Sequence, residues 1–184
     1  MGAIIDIIGS LVIRAVIVIV MLNLSVSLQT TLYQKTSRAV VKQSVASTAQ
    51  TVIADMKLIG YNASSPMQNA TPDDIQFLAA IDSSNGPVKL VHYYTSVQST
   101  SPKRMVLYRQ INGGAPQEVG RDIDSLVFSY YDSIGNVPPN LADIRSVKLR
   151  FSVASKDSFA GFLNSDTKVF EGVWERQFFP KNLN

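Results

Sequence analysis

An apolar run at the start of the chain constrains this protein more than any other feature of its sequence. Between Ala3 and Leu24 nearly every residue is Ile, Val, Leu, Ala or Met. About 20 such residues in a helix span the hydrocarbon core of a bilayer. A secretory signal peptide has positive charge before a shorter apolar stretch and a small-residue cleavage site after it. We therefore expect an anchor that is retained rather than a signal that is removed.

The composition of the remaining sequence is that of one soluble domain. The chain has 184 residues, which is enough for an anchor and one such domain. Its net charge of +3 comes from scattered Lys and Arg residues, a pattern that favours a solvated surface over a nucleic-acid partner. Because there is no cysteine, disulfide bonds, thiolate metal sites and cysteine nucleophiles are excluded.

Two charged residues, Asp6 and Arg14, interrupt the apolar run and are the candidate assembly residues. Each costs about 2.5–3.5 kcal/mol near the centre of a lipid-facing helix, so such residues usually face a partner. They lie eight positions apart, about 12 Å along a helix, which is too far for an ion pair within one chain. Asp6 could pair with Arg14 of a staggered neighbour or with a neighbour's N-terminal amine. Alternatively, Asp6 lies at the membrane interface, and Arg14 snorkels towards the interface or binds a lipid phosphate.

The helical pattern continues beyond the apolar run. An apolar stripe at i, i+4, i+8, i+11, i+15 and i+18 is formed by Val41, Val45, Ala49, Val52, Met56 and Ile59. We predict one helix from about Ala3 to Ile59, roughly 85 Å long, that ends at Gly60. The Ser/Thr-rich stretch 23–31 is the segment most easily unwound. Residues 1–24 would be the transmembrane or filament-core part of this helix, and residues 25–60 its amphipathic continuation.

From residue 61 to residue 184 the sequence has the pattern of an antiparallel β domain. Alternation of apolar and polar residues predicts strands at Ile75–Ile81, Val88–Tyr94, Arg104–Ile111, Ser125–Tyr131, Ile144–Ala154 and Val173–Phe179. Turn sequences at 82–87 and 112–114 connect the first of these strands, and 155–172 is predicted to be a polar loop. Short turns favour an antiparallel sheet whose inner face covers the helix stripe. The predicted fold class is therefore α+β.

The sequence contains none of the common catalytic or nucleotide-binding motifs. The P-loop, the dinucleotide fingerprint, the zincin motif and the nucleophile elbow are all missing. His92 lies among apolar and aromatic strand residues, which indicates a structural role. Asp132 and Asp143 flank the turn at Gly135 but lack the spacing of a calcium-binding loop. We therefore predict no enzyme activity, no cofactor and no metal site.

Aromatic residues alternate along the predicted strands, and four basic residues lie in or beside the same strands, namely Lys103, Arg104, Lys148 and Arg150. A platform for single-stranded nucleic acid needs its aromatic rings on one exposed face among basic side chains. Core packing and cross-strand pairing account for the same alternation. Nucleic acid is therefore not among the predicted partners.

Four segments, taken in order after the long helix, are similar to one known family. They are 55–61 (DMKLIGY) at the helix end, 127–132 (VFSYYD), 144–149 (IRSVKL) and 179–183 (FPKNL). Together with a helix that is apolar and then amphipathic, they resemble the minor pilins and pseudopilins of type IV pili and type II secretion systems. Each segment is short, and it is their order over nearly the whole chain that carries the resemblance.

The resemblance implies a pilin-like fold and a structural subunit of a pilus-like filament or pseudopilus. Such a subunit packs through its apolar helix against copies of itself or homologous pilin-like subunits. Before assembly it is anchored in the inner membrane with its C-terminal domain outside the cytoplasm, and afterwards it lies in an extracellular filament. The positive-inside rule alone favours the opposite orientation, because Lys35, Arg38 and Lys42 follow the apolar run.

The resemblance also implies a role for Asp6. Pilins carry a glutamate at the fifth position after a short basic leader, and this glutamate neutralises a neighbour's N-terminal amine. Neither the leader nor that glutamate is seen in this sequence, but Asp6 becomes the fifth residue if Met1 is removed. An alternative function is a membrane-tethered binding module for a protein partner or DNA that does not polymerise. Subunit packing explains the charges of Asp6 and Arg14, whereas a lone tether does not.

Overall fold

One long helix and one large antiparallel sheet make up most of the protein. The computed structural model describes residues 2–82, 86–100, 103–155, 159–161 and 164–183, and only the backbone of 2–6, 159–161 and 164–168. Helix α1 is Gly2–Met56, and a single 3-10 turn is Leu141–Asp143. The strands are β1 (Met67–Ala70), β2 (Asp74–Ala79), β3 (Lys89–Thr100), β4 (Lys103–Ile111), β5 (Gln117–Tyr131), β6 (Ser146–Ala154), β7 (Phe159–Gly161), β8 (Asn164–Lys168) and β9 (Glu171–Phe178). The predicted α+β fold class is confirmed.

Seven strands form a curled antiparallel sheet in the order β1-β2-β3-β4-β5-β6-β9. Strands β7 and β8 pair with each other in a separate hairpin. The prediction of a polar loop over 155–172 was therefore wrong, because this hairpin lies within it. Strand β1 was not predicted either, since its four residues show no apolar alternation. The sheet thus has β1 at one edge and β9 at the other.

Strand β5 begins at Gln117, well before the predicted Ser125. Its first part is irregular, with shifts in pairing register on both sides and a positive φ of 56° at Asp122. An irregularity of this kind interrupts the alternation of inward and outward side chains along the strand. The alternation of apolar and polar residues therefore did not predict the first eight residues of β5. Bulges also increase the local twist of a strand, and here they help the sheet to curl around α1.

Helix α1 passes without a break through the Ser/Thr-rich stretch 23–31, the segment that we expected to be most easily unwound. The hydroxyl groups of Thr30 and Thr31 donate to the carbonyl oxygens of Val26 and Ser27, each at 2.9 Å. Both hydrogen bonds lie within the helix. These hydroxyl groups therefore do not draw backbone groups into a non-helical conformation. The helix therefore links the apolar run to the β domain as one continuous rod.

Helix α1 ends earlier than predicted, at Met56 rather than Ile59, and Gly60 lies in the turns that follow it. The α-helix ends at Met56, and hydrogen-bonded turns continue to Asn62. Gly60 has a φ of +75°, the left-handed conformation that usually requires glycine at a helix end. A Cβ atom at this position would also lie 2.8 Å from the carbonyl oxygen of Asn182. Both the backbone conformation and the packing of the C-terminal tail therefore require glycine here.

The core lies between the inner face of the sheet and the predicted helix stripe. Five of the six stripe residues are at most 5% exposed, and Val45 is partly buried against the same core. The inner face of the sheet contributes Phe77, Tyr93, Leu107, Phe128, Leu149 and Phe151. On β6 the alternation of the sequence places four apolar residues on one face, and all four are buried: Val147, Leu149, Phe151 and Val153. Ser146 and Ser152 on the other face are buried as well. Their hydroxyl groups are satisfied by Gln177 and Ser125, both at less than 3 Å.

Gly120 allows β5 to approach α1 closely. A Cβ atom at Gly120 would lie 2.6 Å from Thr48 Oγ1 and 2.9 Å from Thr48 Cγ2. We expect Gly120→Ala to lower the free energy of unfolding by about 1–3 kcal/mol, as overpacking of a well-filled site does. Urea denaturation of the full chain in detergent micelles, followed by the fluorescence of Trp174, measures this.

A double variant provides the control for this prediction. Thr48→Ala removes the two atoms nearest to the new methyl group and leaves Ile123 Cδ1, 3.2 Å away, in place. It also removes the hydrogen bond from Thr48 Oγ1 to the carbonyl oxygen of Val119 at 3.2 Å. Adding Gly120→Ala to Thr48→Ala should therefore have a much smaller effect than adding it to the natural chain. Equal losses in the two backgrounds would show that contact with Thr48 is not the cause.

Candidate assembly site

The first half of α1 presents an uncovered apolar surface. Its large apolar side chains from Ile7 to Leu28 are all exposed, most of them by half or more. In the described part of the chain, α1 is the one helix that is long and apolar enough to cross a membrane. An exposed apolar surface of this size marks a contact with lipid or with other protein. The helix half therefore requires a partner that the β domain of its own chain does not supply.

The structure does not bring Asp6 and Arg14 together within one chain. Both belong to the same continuous helix, so their backbones are about 12 Å apart along its axis. The side chain of Asp6 lies outside the described residues. Arg14 is exposed, and it has no ion pair among the side chains that the structure describes. Any partner for Arg14 must therefore come from the membrane or from another molecule.

A buried cluster, which sequence reasoning missed, fixes the second half of α1 to the sheet. The carboxylate of Asp55, on α1, accepts from Arg109 Nε at 2.5 Å and from Arg109 Nη2 at 3.1 Å. It also accepts from the hydroxyl group of Tyr93 at 2.7 Å. Arg109 lies on β4 and Tyr93 on β3, so three elements meet at one carboxylate. Since the three residues are up to 54 positions apart, only the fold brings them together.

The cluster shifts the titration of its members. Burial, followed by the charge and hydrogen bond of Asp55, raises the pKa of the Tyr93 hydroxyl above its ordinary value. Burial opposes the charge of Arg109, but the hydrogen bonds and charge of Asp55 outweigh it and raise the pKa of that guanidinium. Arg109 therefore stays charged and Tyr93 stays neutral. This state suits a rigid connection, because a neutral hydroxyl donates to the carboxylate while the guanidinium binds both of its oxygens.

An open apolar groove of about 720 Å³ lies between α1 and the edge strand β9. Its walls are one face of the helix between Arg38 and Ile53 and the residues 170–174 at the start of β9. The floor is apolar and includes Val45, Ala49, Ile53 and Trp174. Arg38 and Lys42 lie at the end of the groove nearer the apolar half of the helix, and the Arg38 guanidinium sits 4.6 Å from the centroid of the Phe170 ring. Glu171 also lines this end, between Phe170 and Gly172. The groove is therefore an apolar channel with one charged end, where two basic residues outnumber one acid.

Close approach of two backbones shapes the groove. A Cβ atom at Gly172 would lie 2.9 Å from Val41 and 3.0 Å from Val45, so β9 contacts the helix at its first residues. Beyond Gly172 the strand carries Trp174, which is only partly buried although it packs 5.3 Å from the ring of Phe151. The sheet stops at β9, and the flank of α1 beside it is left uncovered.

Other polar residues on the β domain have structural partners. His92 Nε2 lies 2.8 Å from Asp74 Oδ2, and the other carboxylate oxygen of Asp74 accepts from Asn69 at 2.8 Å. This contact joins β1, β2 and β3. Asp132 accepts from the backbone N–H groups of Ile134 and Asn136 and so shapes its own turn. Among the described residues, no three His, Asp or Glu side chains group closely enough to hold a metal ion.

The aromatic residues are divided between the two faces of the sheet. Tyr93, Phe128 and Phe151 are in the core, whereas Tyr94 stacks on Tyr108 at 5.6 Å on the other face. The basic residues considered for a nucleic-acid platform are mostly paired: Lys148 lies 2.7 Å and Arg150 3.9 Å from Glu175, and Arg104 lies 3.5 Å from Asp124. The structure therefore does not gather these aromatic rings on one exposed face.

Comparison of the chain with protein-family models, with curated protein sequences and with solved structures gives no match. The candidate site accordingly rests on the geometry of this molecule. It consists of the uncovered apolar half of α1 with its two charges, and of the groove at β9. Sequence reasoning identified the first of these from hydropathy. It missed the groove, because residues 38–53 and 170–174 are distant in sequence and neither segment is unusual by itself.

Proposed function

We propose that this protein is a structural subunit of a pilus-like filament or pseudopilus that assembles through the apolar half of α1. The observation that supports this proposal is the separation of the molecule into two parts. The β domain covers the stripe of α1 from Val41 onwards, and the apolar surface from Ile7 to Leu28 has no cover. Lipid can cover that surface before assembly, and neighbouring copies can cover it within a filament.

The two charges favour assembly over simple tethering. An isolated membrane anchor gains nothing from a charged residue among its apolar side chains, and Arg14 has no partner among the described side chains of its own chain. Packing against other subunits supplies partners for Asp6 and Arg14. In this proposal the chain is anchored in the inner membrane with its β domain outside the cytoplasm, and it is then drawn into an extracellular filament with copies of itself or homologous pilin-like subunits.

The experiment that tests this function is electron microscopy of filaments sheared from the cells that produce the protein, with mass spectrometry of their subunits. We expect filaments that contain this chain, and the mass of its first peptide shows whether Asp6 is the fifth residue. Recovery of the chain only as membrane-bound monomers would contradict the proposal. The protein would then be better explained as a tethered binding module.

Arg14→Leu separates assembly from anchoring. The variant makes the helix more apolar, so we expect the amount of membrane-inserted protein to be unchanged or higher. We expect the amount of chain in sheared filaments to fall at least tenfold, because one lost ion pair in an apolar contact is worth about 1.4 kcal/mol or more. Immunoblots of the membrane and sheared fractions measure both quantities.

Ser25→Leu is the matched control for this experiment, because it adds the same side chain to an exposed position of α1 without removing a charge. We expect it to leave both fractions close to those of the natural chain. Equal filament yields from Arg14→Leu and Ser25→Leu would show that the charge of Arg14 has no part in assembly.

A further inference from the structure

We propose that the groove between α1 and β9 receives the apolar half of α1 from a second copy of this chain, in parallel orientation. The inference rests on the proposed function and adds to it the surface that binds the helix. It starts from two apolar surfaces that one molecule leaves uncovered. The groove is open and apolar, and the exposed helix half is the largest apolar surface that the described chain presents.

The apolar run is long enough to fill the groove. The helix wall of the groove extends from Arg38 to Ile53, which is sixteen residues or about 23 Å. The apolar run from Ala3 to Leu24 is 22 residues or about 32 Å long as a helix. A second helix could therefore lie along the groove from end to end and cover the flank of α1 that the sheet leaves open.

Charge sets the direction and the register of this contact. The charged end of the groove, where Arg38 and Lys42 outnumber Glu171, is its N-terminal end along α1, and the helix of the second copy carries an acid, Asp6, near the N-terminal start of its apolar run. In parallel orientation the acid comes level with the two basic residues when the second helix is offset by about 34 residues, or roughly 51 Å. An antiparallel helix would place Asp6 at the apolar end of the groove, near Ile53.

Helical periodicity identifies the face of the second helix that enters the groove. The residues on the same face as Asp6 are Ser10, Ile13, Ile17 and Val20, and these are small or apolar. At the offset set by the charges, Ile13 lies beside Ala46, which is an exposed residue of the groove wall. Ala15 is on the opposite face of the second helix, and Thr51 is exposed on α1 away from the groove.

This contact explains how the chain would form an open polymer. The groove and the apolar run are different surfaces of the same molecule, so the contact is heterologous. A heterologous contact with a large axial offset does not close on itself, and its repetition gives a filament. Each subunit would contribute its apolar run to one neighbour and its groove to another.

Disulfide cross-linking tests the contact cleanly, because the natural chain has no cysteine. The full chain carrying Ile13→Cys and Ala46→Cys is oxidised in the membranes and filaments of the cells that produce it. We expect a ladder of dimers, trimers and larger species on a non-reducing gel, since each chain has one cysteine for each neighbour. Each single variant should give at most dimers. The pairs Ala15→Cys with Ala46→Cys, and Ile13→Cys with Thr51→Cys, should give at least tenfold less of the larger species.

Charge reversal supplies a second, independent measurement. Adding Arg38→Glu and Lys42→Glu to the Ile13/Ala46 cysteine pair should remove the ladder, and adding Asp6→Lys should restore it. Restoration by a third substitution also shows that the reversed chain still folds. Loss of the ladder without restoration would contradict the assigned register.

The outcomes separate this inference from the proposed function. Filaments with dimers of Ile13→Cys alone, but no ladder from the pair, would show that the apolar helices associate elsewhere, and the groove contact would be wrong. No cross-linked species from any variant and no filaments would contradict the function itself. A lipid retained by the purified chain and displaced by Ala46→Trp, together with the absence of a ladder, would identify the groove as a lipid site and overturn the inference.

Discussion

Replacing Asp55 by Ala is expected to lower the free energy of unfolding by about 3–5 kcal/mol, the range found when one member of a buried ion pair is removed. The Asp55 carboxylate is the common acceptor of Arg109 and Tyr93, and the side chains of Asp55 and Arg109 are only 9% and 16% exposed. Without it, a charged guanidinium and a buried hydroxyl lose their partner at the same time. This is the largest effect on stability that we expect from a single substitution in the chain.

Two further variants show whether the loss comes from the unpaired charge. Asp82→Ala breaks the exposed ion pair with Lys89 and should cost less than about 1 kcal/mol. Combining Asp55→Leu with Arg109→Met removes both charges and should cost less than Asp55→Ala alone, because no charge is left buried without a partner. Urea denaturation in micelles, followed by the fluorescence of Trp174, compares all three. If the double variant is less stable than Asp55→Ala, the lost attraction between Asp55 and Arg109, and not the unpaired charge of Arg109, causes most of the loss in stability.

The cluster also matters for the helix as a mechanical element. If α1 transmits force or packing from a filament core to the outer domain, its connection to the sheet has to be rigid. Asp55 lies one residue before the end of the α-helix, and its carboxylate reaches two strands from there. We therefore expect Asp55→Ala to reduce filament yield through loss of the folded domain, whereas Arg14→Leu reduces it without unfolding the domain.

Alkaline pH should unfold the β domain by titrating Tyr93 and Tyr130. Burial, and then the charges of nearby carboxylates, raises the pKa of both hydroxyl groups above the ordinary value. A group whose pKa is higher in the folded chain contributes stability that is complete below the unfolded pKa, near 10, and is lost as the pH rises above it. Each tyrosine should therefore remove stability with a slope that approaches about 1.4 kcal/mol per pH unit above pH 10, for a total of about 2.7 kcal/mol by pH 12.

The slope of stability against pH, rather than stability at one pH, distinguishes these tyrosines. Tyr130→Phe loses the hydrogen bond to the carbonyl oxygen of Thr71, worth about 1 kcal/mol at neutral pH. It should also reduce the slope between pH 10 and pH 12 by about half, and the Phe variant at both positions should reduce it further. The measurement is a set of urea denaturation curves from pH 8 to pH 12. An unchanged slope in Tyr130→Phe would show that this hydroxyl does not drive alkaline unfolding.

Several parts of the fold could be predicted because their signals are local. The apolar run of α1 is a property of consecutive residues, and the stripe from Val41 to Ile59 follows from helical period alone. Strand β6 was identified from strict alternation, and Gly60 from the conformation that a helix end requires. In each case the determining interaction lies within a few residues, so the sequence contains it directly.

Other parts were missed because their sequence signals are weak or misleading. Strand β1 has four residues without apolar alternation, and its pairing with β2 is what makes it a strand. The start of β5 lacks a regular alternation of apolar and polar residues because the strand is irregular around Asp122. The hairpin of β7 and β8 falls in a polar stretch, where backbone pairing and not burial defines the strands. Hydrophobic period cannot identify strands of this kind.

The sequence by itself determined that this protein has an apolar helix with two charges, a second helix half with one face to bury, and a β domain to cover it. These features follow from hydropathy and period, which act between near neighbours. Only the tertiary structure decided which charges are satisfied and which surfaces stay open. The cluster at Asp55 and the groove at β9 each join residues far apart in sequence, and their energies depend on burial and distance that exist only after the sheet has curled around α1.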